Sequence, residues 1–237
     1  MSTLFLVRHG QASFQSDDYD QLSPLGETQA RLLGEHWVRL NRTFDRVYIG
    51  SLRRHQQTEA AVAAVYQSQG LPWPTAEVMS EFNEHLGPEV MQHVLATAEQ
   101  QSEEVQAILT PLKDNPTPSL RTYLRAFQEI LRLWVQEGLQ TGNLQSWGEF
   151  RNNVETGLKQ IMRQDGEGKR VAIFSSGGPA IVATGFALNL SHEQVLELMW
   201  GVYNASYAEF RFSEDRFSLK AFNSHSHFQE IDLLTYV

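Results

Sequence analysis

The apolar run Leu4-Phe5-Leu6-Val7, which ends abruptly in Arg8-His9-Gly10, constrains this chain more than any other stretch. A short continuous apolar run suits a strand buried on both faces, and such strands belong to sheets covered by helices on each side. What leaves the strand is a cation, an imidazole and a glycine. The guanidinium can fork onto a phosphate. The glycine lets the backbone come close to a ligand. An imidazole titrates near neutrality, so it can be an uncharged nucleophile or a charged donor. A strand end with a surface Arg and a half-buried His accounts for the same tripeptide, so the remainder of the chain has to supply its partners.

The order of elements that follows predicts a parallel sheet. Thr3–Val7 reads as the first strand and residues 11–22 as a polar loop. Ser23-Pro24 starts a helix, with Ser as N-cap, Pro in the first turn and Glu27 behind it. Ala30, Leu33, Trp37 and Leu40 give that helix one apolar face. Phe44–Ile49 is a second strand, and Arg53–Gln69 a second helix that Gly70 and Pro72 end. From about 88 to 165 the strand pattern is lost. Leu120, Leu124, Phe127, Leu131 and Trp134 recur at helical spacing, as do Trp147, Phe150, Val154 and Ile161. This predicts a helical insertion packed into the core; a partner-binding coiled coil would need a longer heptad run. Strand and helix then alternate again. Arg170–Phe174 is a strand, Ser175–Pro179 a turn opening a helix to about Leu188, and Ser191 the cap of a helix over His192–Trp200. Ser206–Phe212 and Phe217–Phe222 form a hairpin. The fold class expected is α/β, a three-layer α/β/α arrangement with a mainly parallel sheet, as one domain over residues 1–237.

Composition narrows the partners. The chain has 237 residues, 41% of them hydrophobic, enough for a substantial core. Its net charge of −9 disfavours nucleic acid and anionic membranes as whole-surface partners. A small phosphorylated substrate fits, because a local arginine cluster overcomes a negative surround. With no cysteine, a thiol nucleophile, disulfides and thiolate metal sites are excluded. The first strand begins almost at once, without the basic and apolar segments of a signal peptide, and no apolar stretch reaches membrane-spanning length. A cytoplasmic protein is the expectation.

Three further stretches carry chemistry. Gly50-Ser51-Leu52-Arg53-Arg54-His55-Gln56-Gln57-Thr58 leaves the second strand and opens a helix. Helix amides and the dipole favour an anion there, and two cations at that end, unfavourable alone, point to one. Met79-Ser80-Glu81-Phe82-Asn83-Glu84-His85 offers carboxyl groups for proton transfer. Phe174-Ser175-Ser176-Gly177-Gly178 offers a hydroxyl and glycine amides.

Leu6-Val7-Arg8-His9-Gly10-Gln11, Leu52-x-Arg54 followed by Gln57-Thr58, and Met79-Ser80-Glu81 together resemble the motifs of the histidine phosphatase superfamily, which includes the cofactor-dependent phosphoglycerate mutases. The resemblance implies a phosphoglycerate mutase-like domain with the helical insertion at about 88–165. It makes His9 the phosphoryl acceptor, with Arg8, Arg54 and Gly10 on the phosphate. It makes Glu81 the proton donor, and Glu84 the second choice because Asn-Glu also occurs in the mutase branch. The family usually carries Ser-His-Gly-Gly after its later strand, so Ser176 takes the place of a second His, with Gly177 beside it. His225 and His227 are candidates to make up that loss. Gln11, Ser13, Arg53 and His227 are candidate substrate contacts. No cofactor and no metal are implied.

The reaction expected is metal-independent phosphomonoester hydrolysis through a phosphohistidine on His9. Residues 85–110 contain no Arg or Lys, which disfavours a mutase needing to hold a bisphosphate. Arg121 and Arg125, beyond Lys113, are the nearest cations that could reach a substrate. A phosphate-binding protein with little or no activity is the alternative, since a serine at 176 carries no charge. A serine hydrolase lacks its Gly-x-Ser-x-Gly elbow, and a dinucleotide site lacks Gly-x-Gly-x-x-Gly. His225-x-His227 as a metal pair lacks a supporting carboxylate cluster.

Overall fold

Alternation along the central strands decides the layering. Leu4 and Leu6 face one core while Phe5 and Val7 face another; Val171 and Ile173 divide from Ala172 and Phe174 in the same way. The computed structural model describes residues 1–13, 20–85, 87–115 and 117–236. In chain order its elements are β1 (Ser2–Arg8), α1 (Pro24–Arg39), β2 (Arg46–Ile49), α2 (Arg53–Ser68), β3 (Ala76–Val78), α3 (Gly87–Ala96), α4 (Glu103–Lys113), α5 (Leu120–Val135), α6 (Trp147–Asp165), β4 (Arg170–Ser175), α7 (Gly177–Leu188), α8 (His192–Met199), β5 (Tyr207–Phe212) and β6 (Phe217–Ser224). Among the described residues the sheet has 6 strands in the order β3-β2-β4-β1-β5-β6. The first four in that order are parallel, and β5 runs antiparallel to both of its neighbours, β1 and β6. The mainly parallel α/β fold expected from the sequence is the fold observed.

Helices α1 and α2 cover one face. Trp37 is its centre, fully buried with its ring 4.9 Å from that of Phe44, 5.7 Å from Tyr207 and 5.8 Å from Phe5. The opposite face is covered from the helical segment. Val90, Val105, Leu109, Ile130, Trp134, Trp147, Phe150 and Val154 join Leu4, Leu6, Val171 and Ile173 in one core. The segment after residue 87 is therefore helical, as its periodicity predicts, and packs on the sheet itself.

Three details differ from the sequence reading. Ala76–Val78 forms a short edge strand on β2. It carries no apolar run, and Val78 is 59% exposed, so nothing in its composition announces it. Leu40 is 48% exposed, because it is the C-cap of α1 and lies past the last packed turn. The apolar stripe of α5 is buried only from Ala126 onward, whereas Leu120 and Leu124 are exposed. Periodicity reports which side of a helix is apolar, and here the helix outruns its neighbours at its N-terminal end.

Nε1 of Trp37 finds no hydrogen-bond partner among the described residues. Trp37→Ala should cost about 3–5 kcal/mol in urea unfolding. Trp37→Phe should cost less than half as much, because it also removes a buried donor left unsatisfied, worth about 1–3 kcal/mol. Equal losses in the two variants would mean that ring volume alone decides.

Candidate functional site

The carboxyl ends of β1, β2 and β4 lie side by side, and the residues leaving them converge. His9 is pinned by its main chain. Its N–H donates to the Ser175 carbonyl of β4 at 2.8 Å, and its carbonyl accepts from the Ala205 N–H at 3.0 Å. Nδ1 of the imidazole is 2.7 Å from the Gly10 carbonyl oxygen. A carbonyl only accepts, so Nδ1 holds the proton and Nε2 presents a lone pair. That lone pair accepts from Arg54 Nε at 3.2 Å. The ring is 4% exposed. Burial first, then the charges of Arg8 and Arg54 and the neighbouring His55, hold its pKa well below 6.5.

Gly10 is demanded by a close approach. A methyl group there would lie 2.3 Å from the Gly26 carbonyl oxygen of α1, and one at Gly26 would lie 2.1 Å from that of Gln11. The Gly10 N–H donates to Thr58 Oγ1, whose hydroxyl donates to the Arg54 carbonyl at 2.7 Å. These bonds tie the end of β1 to the first turns of α2.

The start of α2 carries the arginines. Leu52, its N-cap, makes no side-chain cap. Asp20 does that work: one carboxylate oxygen accepts from the Arg53 N–H at 2.9 Å and the other from Arg54 Nη1 at 2.8 Å. The anion anticipated beside two cations is thus, in this structure, an acid of the chain itself. Arg54 is buried and the Arg53 side chain is exposed. The Arg8 guanidinium donates to the carbonyls of Val202 and Tyr236. A side chain on Gly177 would reach within 3.7 Å of Arg8 Nε, so the arginine and the start of α7 are adjacent.

The carboxyl group brought to this place is that of Glu84. Its oxygens accept from the Gly178 N–H of α7 at 3.1 and 3.3 Å, and Oε1 also accepts from the His85 N–H at 3.0 Å. Gly178 permits the approach, since a methyl group there would lie 2.1 Å from Glu84 Oε1. Glu81 points its Cβ at α6 instead, 3.0 Å from where a side chain on Gly157 would begin. The segment is held by Ser175 Oγ, which donates to the Phe82 carbonyl, and by Asn83, whose side chain accepts from the Ser51 N–H.

The structure brings together Arg8, His9, Gly10, Arg54, Ser176, Gly177 and Glu84. It does not bring in His227, which is buried with its ring 5.8 Å from that of His36 on α1. Burial, then His36 and His225, push the His227 pKa down to about 3. Ser13 is spent on the Leu22 carbonyl, and Gln11 accepts from the Ser23 hydroxyl. The imidazole that meets Ser176 is His55, with Nε2 2.6 Å from Ser176 Oγ. Sequence reasoning assigned His55 and Asp20 no role. His55 does follow Arg54 directly in the helix-opening turn, which was the available signal.

A profile of the histidine phosphatase superfamily, branch 1, matches residues 4–137 and 119–225. No curated protein matches the chain closely enough to count as a relative. Among solved structures, a phosphoglycerate mutase from Bacillus anthracis str. Sterne is 15% identical and superposes with a TM-score of 0.64, covering 95% of this chain and 94% of its own. An alpha-ribazole phosphatase from Shigella flexneri is 17% identical with a TM-score of 0.64, covering 94% and 96%. A phosphoserine phosphatase from Entamoeba histolytica, in complex with phosphoserine, is 16% identical with a TM-score of 0.62, covering 96% and 100%. At these identities the likeness speaks for the fold. Because the profile takes in the end of β1, the start of α2 and the turn after β4, this chain belongs to branch 1 of the histidine phosphatase superfamily.

Proposed function

We propose that this protein hydrolyses phosphomonoesters through a phosphohistidine on His9. The observation that carries the reading is the state of that imidazole. It is neutral, its proton is committed to Gly10, and its Nε2 lone pair faces Arg54. A binding site for phosphate has no use for a neutral ring presenting a lone pair, whereas a nucleophile requires one.

In the first half-reaction the phosphoryl group takes up Arg54, the Gly177 N–H at the start of α7 and the Arg8 edge beside it. His9 Nε2 attacks phosphorus in line, forming the N–P bond as the ester P–O bond breaks. The electron pair of that bond goes to the leaving oxygen, which takes the proton of Glu84. The arginines stabilise the charge carried by the non-bridging oxygens, and this is the larger part of catalysis. In the second half-reaction Glu84, now a carboxylate, takes a proton from the water that attacks phosphorus, and the N–P bond breaks with release of phosphate. Glu84 is preferred to Glu81 because it already lies on Gly178, whereas Glu81 sets out toward α6. Hydrolysis is preferred to mutase chemistry because residues 85–110 contain no Arg or Lys to hold a second phosphate.

Three outcomes test this. His9→Ala should abolish turnover of p-nitrophenyl phosphate and the acid-labile phosphoprotein seen on rapid quench; turnover with undiminished kcat would overturn the nucleophile. Glu84→Gln should lower kcat/KM, which reports the first half-reaction, by about 10²-fold or more for alkyl phosphates, whose leaving oxygen needs a proton, and far less for p-nitrophenyl phosphate. The same pattern in Glu81→Gln and not in Glu84→Gln would reverse the assignment. The pH profile follows from the sign of the His9 shift. Protonation removes the lone pair, and a lowered pKa moves that loss to lower pH. Once the substrate's own ionisation is divided out, kcat/KM should therefore show no inflection near pH 6.5. An acid limb centred there would show His9 titrating as an ordinary imidazole.

A further inference from the structure

Two buried side chains that meet at the end of β4 are unused by this mechanism. His55 and Ser176 are both fully buried. Ser176 is the N-cap of α7, where a serine ordinarily turns its oxygen to the helix amides, yet it makes no side-chain capping bond. Its hydroxyl is instead 2.6 Å from His55 Nε2. The His55 ring lies 5.8 Å, centre to centre, from that of His9. Its Nδ1 is buried without a hydrogen-bond partner among the described residues. That nitrogen sits over Gly50, where a methyl group would come within 2.2 Å of it.

The orphaned Nδ1 fixes the tautomer. Burial, then Arg54, push the pKa of His55 down to about 3, so the ring is neutral and carries one N–H. A proton on Nδ1 would leave a buried donor unmet, which proteins tolerate less well than an unfilled acceptor. The proton therefore belongs on Nε2, which donates to Ser176 Oγ. The serine hydroxyl, having accepted that bond, keeps its own proton to give, and a donor that also accepts is strengthened.

We propose that His55 is a positioning residue of phosphoryl transfer: its Nε2–H holds Ser176 so that the serine hydroxyl donates to a non-bridging oxygen of the phosphoryl group at His9. The proposal rests on the phosphohistidine reading above. No covalent bond changes in this contact; the serine keeps its proton, and the bonds made and broken remain N–P and P–O. The rival is a Ser176 nucleophile with His55 as its base, which needs Nε2 as acceptor and the proton on the unmet Nδ1.

The test is steady-state hydrolysis of p-nitrophenyl phosphate by Ser176→Ala, His55→Ala, His55→Gln and the Ser176→Ala/His55→Ala double variant, beside His9→Ala. Losing one donor aimed at the transition state should lower kcat by about 10²-fold in Ser176→Ala, with KM changed far less. His55→Ala should lose a similar factor, and the double variant no more than the worse single, because the two act as one unit. His55→Gln, which keeps an N–H, should retain kcat to within about tenfold. If His55→Ala does not fold, judged by circular dichroism, Ser176→Ala and His55→Gln decide alone. Wild-type-like kcat in Ser176→Ala, or losses that multiply in the double variant, with His9→Ala inactive, would overturn this proposal and leave the phosphohistidine standing. Turnover kept in His9→Ala and lost in Ser176→Ala would overturn both in favour of the serine nucleophile.

Discussion

Gly10 and Gly26 meet with no room between them, and the site depends on that contact. Each glycine lies where the other stretch of chain would strike a Cβ, with gaps of 2.3 and 2.1 Å. The backbone of residues 9–11 is thereby pressed onto the first turn of α1. The same short stretch also bonds to β4, to Thr58 of α2 and to Ala205. His9 is held by its main chain from several sides before its side chain makes any bond. Interiors of this density relax little, so the imidazole inherits a fixed direction from the fold.

The electrostatics follow from that placement. Burial beside two guanidinium groups makes a further positive charge on the imidazole costly, and the ring answers by staying neutral. His55 obeys the same rule a few ångströms away. The positive charge of the site is therefore carried by arginines, which do not titrate, while the imidazoles contribute lone pairs and N–H groups. The Glu84 carboxyl meets the Gly178 N–H of α7 rather than a guanidinium. The carboxyl of Glu84 and the arginines thus keep separate partners: Glu84 accepts from Gly178 of α7, Arg54 pairs with Asp20, and Arg8 donates to the Val202 and Tyr236 carbonyls.

Much of this was legible in the chain. Arg8-His9-Gly10 and Arg54 announced themselves by residue type at strand and helix ends, and the parallel sheet followed from the order of elements. Glu81 against Glu84 was not legible, because the 3-10 turn at Ser80–Phe82 decides which carboxyl faces α7, and three residues of local sequence do not encode that rotation. His227, a candidate to make up for the second His, is instead buried beside His36 of α1, since a histidine reads the same whether exposed or buried. His55 was hidden for a different reason. Its partner is 121 residues away, and a helix-opening histidine gives no sign of what strand end it will face. Sequence patterns identify groups that act through their own chemistry better than groups that act through a neighbour.

Asp20 gives the site one more property. Its carboxylate spans the Arg53 amide and the Arg54 guanidinium, donors that any incoming anion would seek. On the proposed reading, a phosphoryl group that claims Arg54 would arrive by exchange, releasing an internal anion as it binds. The apparent affinity for a phosphorylated substrate would then measure a difference between two anions on one cation, and without one the buried arginine stays compensated by Asp20.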